Sequence, residues 1–246
     1  MTRKQCTERR GSVLSLNQLE ERHMASLAAL RGDGSITLLD VRHGDVGLAF
    51  ADIEPLEMFD PEWEELRLDA DMLGDPLRFE VAAHWESGPS LPPFSGEYRV
   101  PSPMEILTQG RMPSLDLLET DFQKAFVSTL RYFDNAYESS RGFMTFLRTD
   151  PGSSPLEVWF SDLVGTGAAP HPPGYVKLDL TFTEYVETLL LTKGLHGWQY
   201  LFADVSLTDP ALEHLVEGLR NGLDTFASVF PGQDYAPLTS RLEDRL

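Results

Sequence analysis

Between Tyr175 and Phe202 the chain reads YVKLDLTFTEYVETLLLTKGLHGWQYLF, and its apolar period changes from two residues to about 3.6 at one position, Thr181. Before it, Val176, Leu178 and Leu180 share one face of an extended strand, while Lys177 and Asp179 point the other way. After it, Phe182, Tyr185, Val186, Leu189 and Leu190 form one stripe of a helix. Thr181 predicts the junction in detail. Its hydroxyl is placed to accept from the Glu184 amide and the Glu184 carboxylate from the Thr181 amide, with Leu180 and Tyr185 in staple positions. Lys193 suits the negative end of the helix, and Gly194 the left-handed turn that ends it. A strand that hands directly to a helix, each with one apolar side, has to bury both against a common core. Trp198, Leu201 and Phe202 repeat the three-and-four spacing, which predicts a short helical turn on that same core.

The remaining elements follow the same two periods. GFMTFLRT, LEVWFSDL and GYVKLDL are short apolar runs bounded by Gly or Pro and read as antiparallel strands. Asp209 and Pro210 open a last helix carrying Leu212, Leu215, Val216, Leu219, Leu223, Phe226 and Phe230. Ser114 is placed to cap a long helix with Leu115, Leu118, Phe122, Phe126, Leu130 and Phe133. Near the start, Leu16 to Arg31 reads as an amphipathic helix with Ser15 and Gln18 in capping-box register and Gly32 as its stop. Ile36, Leu38 and Leu39, then Val46, Leu48 and Phe50, suggest a hairpin turning at His43-Gly44-Asp45. The expected class is α+β, a mostly antiparallel sheet bracketed by helices.

SGPSLPPFSGEYRVPSPMEI, residues 87 to 106, is the best candidate boundary. It divides the chain into a disordered basic N-terminus (1–14), a segment of helix, strands and acidic residues that is either separate or part of the same domain (15–99), and an α+β core with a C-terminal helix (100–246).

Charge narrows the partners. Twenty Lys and Arg stand against 39 Asp and Glu, a net −19. Arg3, Lys4, Arg9 and Arg10 against Glu8 make the first ten residues +3, so the remainder carries −22. Such a body repels phosphate backbones and anionic lipid, arguing against nucleic-acid and membrane binding, and it attracts basic proteins. From Ala51 to Glu80 eleven carboxylates face only Arg67 and Arg78, with Leu56, Phe59, Trp63, Leu66 and Leu68 interleaved as anchors. Within that segment Glu62, Glu64, Glu65, Asp69 and Asp71 are the candidate partner-binding residues, with Trp63 as an aromatic anchor if it is not core. Cys6 is the single cysteine, so no disulfide framework or thiolate cluster is available. The basic start is not followed by an apolar run, and a cytoplasmic protein is expected.

The glycine-led strand Gly142 to Thr149, the acidic-aromatic strand with Glu157, Trp159, Phe160 and Asp162, a third strand, and then TFTEYVETLLLTKG with GWQYLF together resemble the C-terminal half of the SMI1/KNR4, or SUKH, superfamily. The resemblance covers roughly residues 100 to 205. The family's earlier Leu-Pro-x-x-Tyr/Phe segment has only a distant echo in LPPFSGEY at Leu91 to Tyr98. It implies a SUKH-like core and a non-enzymatic binding module. Bacterial members look largely like immunity proteins that neutralise toxin domains, and fungal relatives act in cell-wall regulation. The family offers no catalytic motif to transfer. What the resemblance implies here is an immunity protein occluding a basic toxin domain, with an intracellular regulatory or structural scaffold as the alternative.

No nucleophile elbow, Walker loop, HExxH or dinucleotide-binding glycine pattern occurs. Asp40, His43 and Asp45 form the most suggestive polar cluster, though hairpin turns use the same residue types. His23, His84, His171, His196 and His214 join no motif. No metal, cofactor or catalytic residue is expected. A hydrolase built on clustered carboxylates is the outside alternative, and it requires two of them to converge in a pocket.

Overall fold

A computed structural model of the chain describes residues 15–47, 56–58, 60–68, 72, 77–109, 118–135, 138, 142–151, 155–162 and 165–246. Its elements run α1 (Gln18–Gly32), β1 (Ile36–His43), β2 (Val81–Ser87), β3 (Ser95–Val100), α2 (Pro103–Gln109), α3 (Asp121–Ser128), β4 (Leu130–Asn135), β5 (Met144–Arg148), β6 (Glu157–Ser161), β7 (Tyr175–Lys177), α4 (Phe182–Thr192), α5 (Glu213–Val229) and α6 (Ala236–Glu243). Tight 3₁₀ turns at Leu56–Met58, Pro61–Trp63, Trp198–Phe202 and Pro210–Leu212 punctuate them. Two antiparallel sheets form, ordered β1-β2-β3 and β4-β5-β6-β7. The class is α+β, and neighbouring strands are consecutive in each sheet.

The Thr181 junction is built as its residues dictate. The Glu184 amide donates to Thr181 Oγ1 over 3.2 Å, and the Thr181 amide donates to Glu184 Oε2 over 2.8 Å. At the other end Lys193 and Gly194 take left-handed φ values of 53° and 71°, and Lys193 Nζ donates to Leu190 O over 2.7 Å. The buried face of α4 presents Tyr185 to Phe133 and Trp198, with ring centroids 4.7 and 4.6 Å away.

Strand alternation in the second sheet serves two faces. Val158 and Phe160 join the main core, whereas Trp159 between them joins Phe126, Val127, Leu130 and Phe146 in a smaller cluster under α3. In the first sheet Trp85 is fully buried between Phe94 and Phe226, and its Nε1 donates to Lys193 O over 2.8 Å. Gly96 lies so close that a Cβ there would stand 2.4 Å from Trp85 Cζ2.

Several expectations change. The cap of α1 is Asn17, not Ser15: Asn17 Oδ1 accepts from the Glu20 amide over 2.9 Å and Glu20 Oε2 accepts from the Asn17 amide over 2.9 Å. Asn is at least as good a cap as Ser, and the register is fixed because Glu20 also holds Arg78. β1 does not turn back at His43. It pairs with β2 nearly forty residues on, from Ile36 opposite Ser87 to His43 opposite Val81. Val46 lies in irregular chain, and Leu48 and Phe50 fall outside the described residues. The long helix from Ser114 is a short one. Thr120 caps α3, and Leu130 and Phe133 belong to β4, where pairing with β5 overrides their helical spacing; Ser114 and Leu115 lie outside the described residues. A further short helix, α6, has Pro237 in its first turn and is an element that the sequence expectations did not include.

Residues 87 to 106 are not a linker. Ser95–Val100 is the inner strand β3, whose Glu97 amide donates to Gly194 O over 2.9 Å and whose Ser95 O accepts from the His196 amide over 2.9 Å. One hydrophobic cluster extends from Leu27 to Leu242, so residues 15–99 and 100–246 share a core. Residues 1–14 lie outside the described residues.

Candidate functional site

The charged side chains divide by sign. Arg78 is folded onto the buried Glu20 carboxylate by bonds of 2.8 and 2.6 Å. Arg131 is 3 % exposed, donates to Ser128 O and Leu130 O, and lies over the Trp63 ring. Arg22 grips Glu187 with both guanidinium nitrogens, Arg99 pairs with Glu80, and Arg148 bridges Asp150 and Glu157. Arg241 and Arg245 donate to Leu201 O, Arg67 to Glu64 O and Leu66 O, Arg31 to Val41 O. Among the described residues Lys124 is the one cation with no such partner. The carboxylates left facing solvent include Glu21, Glu57, Glu64, Glu65, Asp179, Asp204, Glu213, Glu217 and Asp224. Each ion pair removes a carboxylate along with its cation, so the surface keeps the excess of carboxylates that the sequence carries.

A concave part of this surface lies beside the N-terminal half of α4. The groove, of about 860 Å³, is lined by Glu157, Asp179, Glu184 and Glu187 over a floor that includes Leu178 and Phe202. Its two cations are occupied: Lys177 Nζ donates to Glu157 Oε1 over 2.7 Å, and the Arg241 guanidinium lies 4.3 Å from the Phe202 ring centroid. Burial works to raise the Glu157 pKa, but bonds from Lys177, Trp159 and Arg148 outweigh it and hold the group at about 2. Glu184 is held below its ordinary value by the Thr181 amide and hydroxyl. Glu157 and Glu184 stay ionised throughout the physiological range.

The residues singled out from sequence are placed as follows. Glu64 and Glu65 are exposed directly after the turn Pro61–Trp63. Glu62 lies within that turn, and Asp69 and Asp71 fall outside the described residues. Trp63 is 4 % exposed and packs in the main core, so it is no surface anchor. The alternation of Trp63, Leu66 and Leu68 with acidic residues was the signal for core, since the same residues that tether the segment must turn inward. The groove beside α4 was missed because Glu157 lies in β6, Asp179 in the connection after β7 and Glu187 in α4.

The Asp40, His43 and Asp45 cluster does not converge. Asp40 pairs with Arg42 at 3.1 Å, and His43 Nδ1 bonds Gly44 O while its ring edges against Phe79. Among the described residues no group of three His, Cys, Asp or Glu side chains is arranged to hold a metal ion, and no helix is long and apolar enough to cross a membrane.

The polar groups that do converge are internal. A bulge in β4 between Tyr132 and Asp134 breaks the alternation and turns both Phe133 and Asp134 inward. Asp134 Oδ2 accepts from Tyr185 Oη over 2.6 Å and Oδ1 from the Arg99 amide over 2.9 Å. Tyr185 Oη in turn meets Thr145 Oγ1 at 2.9 Å and accepts from Gln199 Nε2 over 3.2 Å. Burial pushes Asp134 up to about 7, against the pull of those two bonds and with the help of the nearby Glu97 charge. Ser95 Oγ and His196 Nδ1 lie 2.9 Å apart next to this network. The space they enclose with Glu97 and Gln199 is about 10 Å³, room for roughly one water and for no organic substrate.

Comparisons of the chain with protein-family models, with curated proteins and with solved structures return no match.

Proposed function

We propose that this chain is a non-enzymatic protein-binding module whose anionic surface engages a basic partner, a toxin domain that it neutralises as an immunity protein by covering its active surface. The observation that carries the reading is the excess of carboxylates: apart from Lys124 the described cations are held by carboxylates, carbonyl oxygens or rings, while further carboxylates line the surface and the groove beside α4. A toxin that acts on nucleic acid needs a cationic substrate groove, and an acidic protein reaches it by fast, salt-sensitive association. The resemblance of residues 100 to 205 to the SUKH superfamily supplies the immunity role. Glu62, Glu64, Glu65, Asp69 and Asp71 stand as one candidate contact set and Asp179 with its groove as another.

The test is capture of basic proteins from source-cell lysate and neighbouring-strain secretions on the immobilised chain, followed by salt-gradient elution of each retained species. One basic protein retained at low salt, inhibited in its own activity by the chain, and eluting earlier from E64Q/E65Q or from D179N supports the reading and locates the surface. A retained protein whose binding ignores salt and both variants belongs to an apolar interface instead, and the charge-led mechanism is then wrong.

A further inference from the structure

On the opposite flank of α4, a groove of about 870 Å³ opens between α1, α4 and the turn after α5. It shares only Glu187 and Thr188 with the acidic groove. The small side chains Ala25 and Ala29 of α1 leave the space, and Leu191, Val229 and Phe230 make its apolar wall. Lys193 stands in this wall. It is 7 % exposed, its Nζ donates to Leu190 O over 2.7 Å, and its ammonium lies 5.4 Å from the Phe230 ring centroid. No carboxylate lies within ion-pair reach of Lys193 among the described residues.

The acids of the groove are already engaged. Glu187 is held by Arg22, Asp33 accepts from the Ser35 amide and hydroxyl, and Asp234 accepts from the Ala236 amide. Lys193 is thus the one cation of the groove without an ion-pair partner, while Asp33 and Asp234 are held by neutral donors and keep their charge. Burying an ammonium in that condition is costly, and burial pulls its pKa down to about 8. Its backbone is also in the left-handed region, φ 53°, where a side chain is strained and the neighbouring Gly194 is not. A last-turn cation that only caps the helix can do so from the solvent side; this one is inside, beside an open groove with one apolar wall.

We infer that this groove is a binding site for an organic carboxylate with an apolar body. The carboxylate pairs with Lys193 Nζ, and the body lies against Leu191, Val229 and Phe230 in the space left by Ala29. The net −19 of the chain does not prevent this, because at physiological salt distant charges are screened over about 8 Å and the contact ammonium decides. The site is independent of the proposed basic partner, since it rests on a different surface and the opposite ligand charge.

The probe is octanoate, with 1-octanol and octylamine as controls for the apolar body and the charge sign, followed by calorimetry and thermal unfolding of the full chain. Octanoate is expected to half-saturate at about 1 mM or below and to raise the midpoint, with octanol and octylamine much weaker. Lys193→Met, which keeps the stem and removes the charge, and Ala29→Phe, which fills the groove and leaves Lys193 in place, should each lose at least about tenfold in affinity. If Lys193→Met does not fold, Ala29→Phe decides alone. The inference is overturned if octanoate fails to bind at about 10 mM, if octanol binds as well, or if the folded variants bind octanoate like the parent chain.

Discussion

Tyr185 Oη donates to Asp134 Oδ2 across 2.6 Å at the centre of the molecule, joining α4 to the bulged strand β4, and Asp134 Oδ1 takes the Arg99 amide of β3. One carboxylate thus ties the late helix to both sheets. It is a low-solvation junction, and its protonation state is a property of the fold.

Stability is expected to fall with rising pH on account of Asp134. Its folded pKa of about 7 lies above its ordinary 3.8, so between those values the native state holds a proton that the unfolded chain has released. The contribution is fully lost above about pH 7. Asp134→Asn should therefore flatten the profile between pH 4 and 7, and at pH 8 it should unfold at a higher denaturant concentration than the parent. Urea titrations at pH 5 and pH 8 check this; equal pH dependence in both proteins would refute the assignment.

Tyr185→Phe removes the donor that favours the ionised carboxylate. The expected cost at pH 8 is about 1–3 kcal/mol, the range for a hydrogen bond to a charged buried group. The cost should shrink at pH 5, where Asp134 is protonated. A cycle with Asp134→Asn, read by urea midpoints, should show strong coupling between the two positions.

Glu20 is completely buried and Arg78 nearly so. Burial opposes ionisation of Glu20, yet the bonds from Arg78 and the Asn17 amide bring its pKa below the ordinary value. Arg78→Met leaves that carboxylate without its partner and should destabilise by about 3–5 kcal/mol, whereas the Glu20→Gln, Arg78→Met double variant should recover part of the loss. Thermal or urea unfolding of the three variants decides, and a double variant no more stable than Arg78→Met alone would remove the ion-pair explanation.

The legible part of the fold is the part set by neighbours in sequence. Thr181 and Glu184 cap α4 where they are placed, the left-handed stop begins one residue early at Lys193 and continues at Gly194, and Asp209 and Pro210 open the 3₁₀ turn Pro210–Leu212 ahead of α5 and not α5 itself. Strands β5, β6 and β7 are short apolar runs bounded by Gly or Pro, the last with two-residue alternation, and are recovered in order. What failed depends on distant partners. β1 answers to β2, and the hairpin suggested by His43-Gly44-Asp45 had no competitor visible in sequence. Leu130 and Phe133 fit a helix by spacing and a strand by pairing, and the ladder with β5 wins because it satisfies the backbone of β4. Asp134 and Lys193 were unreadable as buried groups, since a bulge and a left-handed turn aim them inward.

Glu157 should contribute to the acid limb of stability beside Glu20, whose pKa is also lowered. The folded pKa of Glu157, about 2, lies below its ordinary 4.5, so its contribution is present above the unfolded value and is lost as pH falls through about 2. Lys177 contributes the first of the bonds that hold it there, ahead of Trp159 and Arg148. Lys177→Met should raise the Glu157 pKa and move the acid-unfolding midpoint upward while leaving the limb above pH 5 unchanged, because Asp134 controls that one. Acid titration by circular dichroism of the parent, Lys177→Met and Asp134→Asn separates the limbs. Each variant should displace one limb only, and a Lys177→Met chain that shifts both would mean that β7 itself had come away from β6.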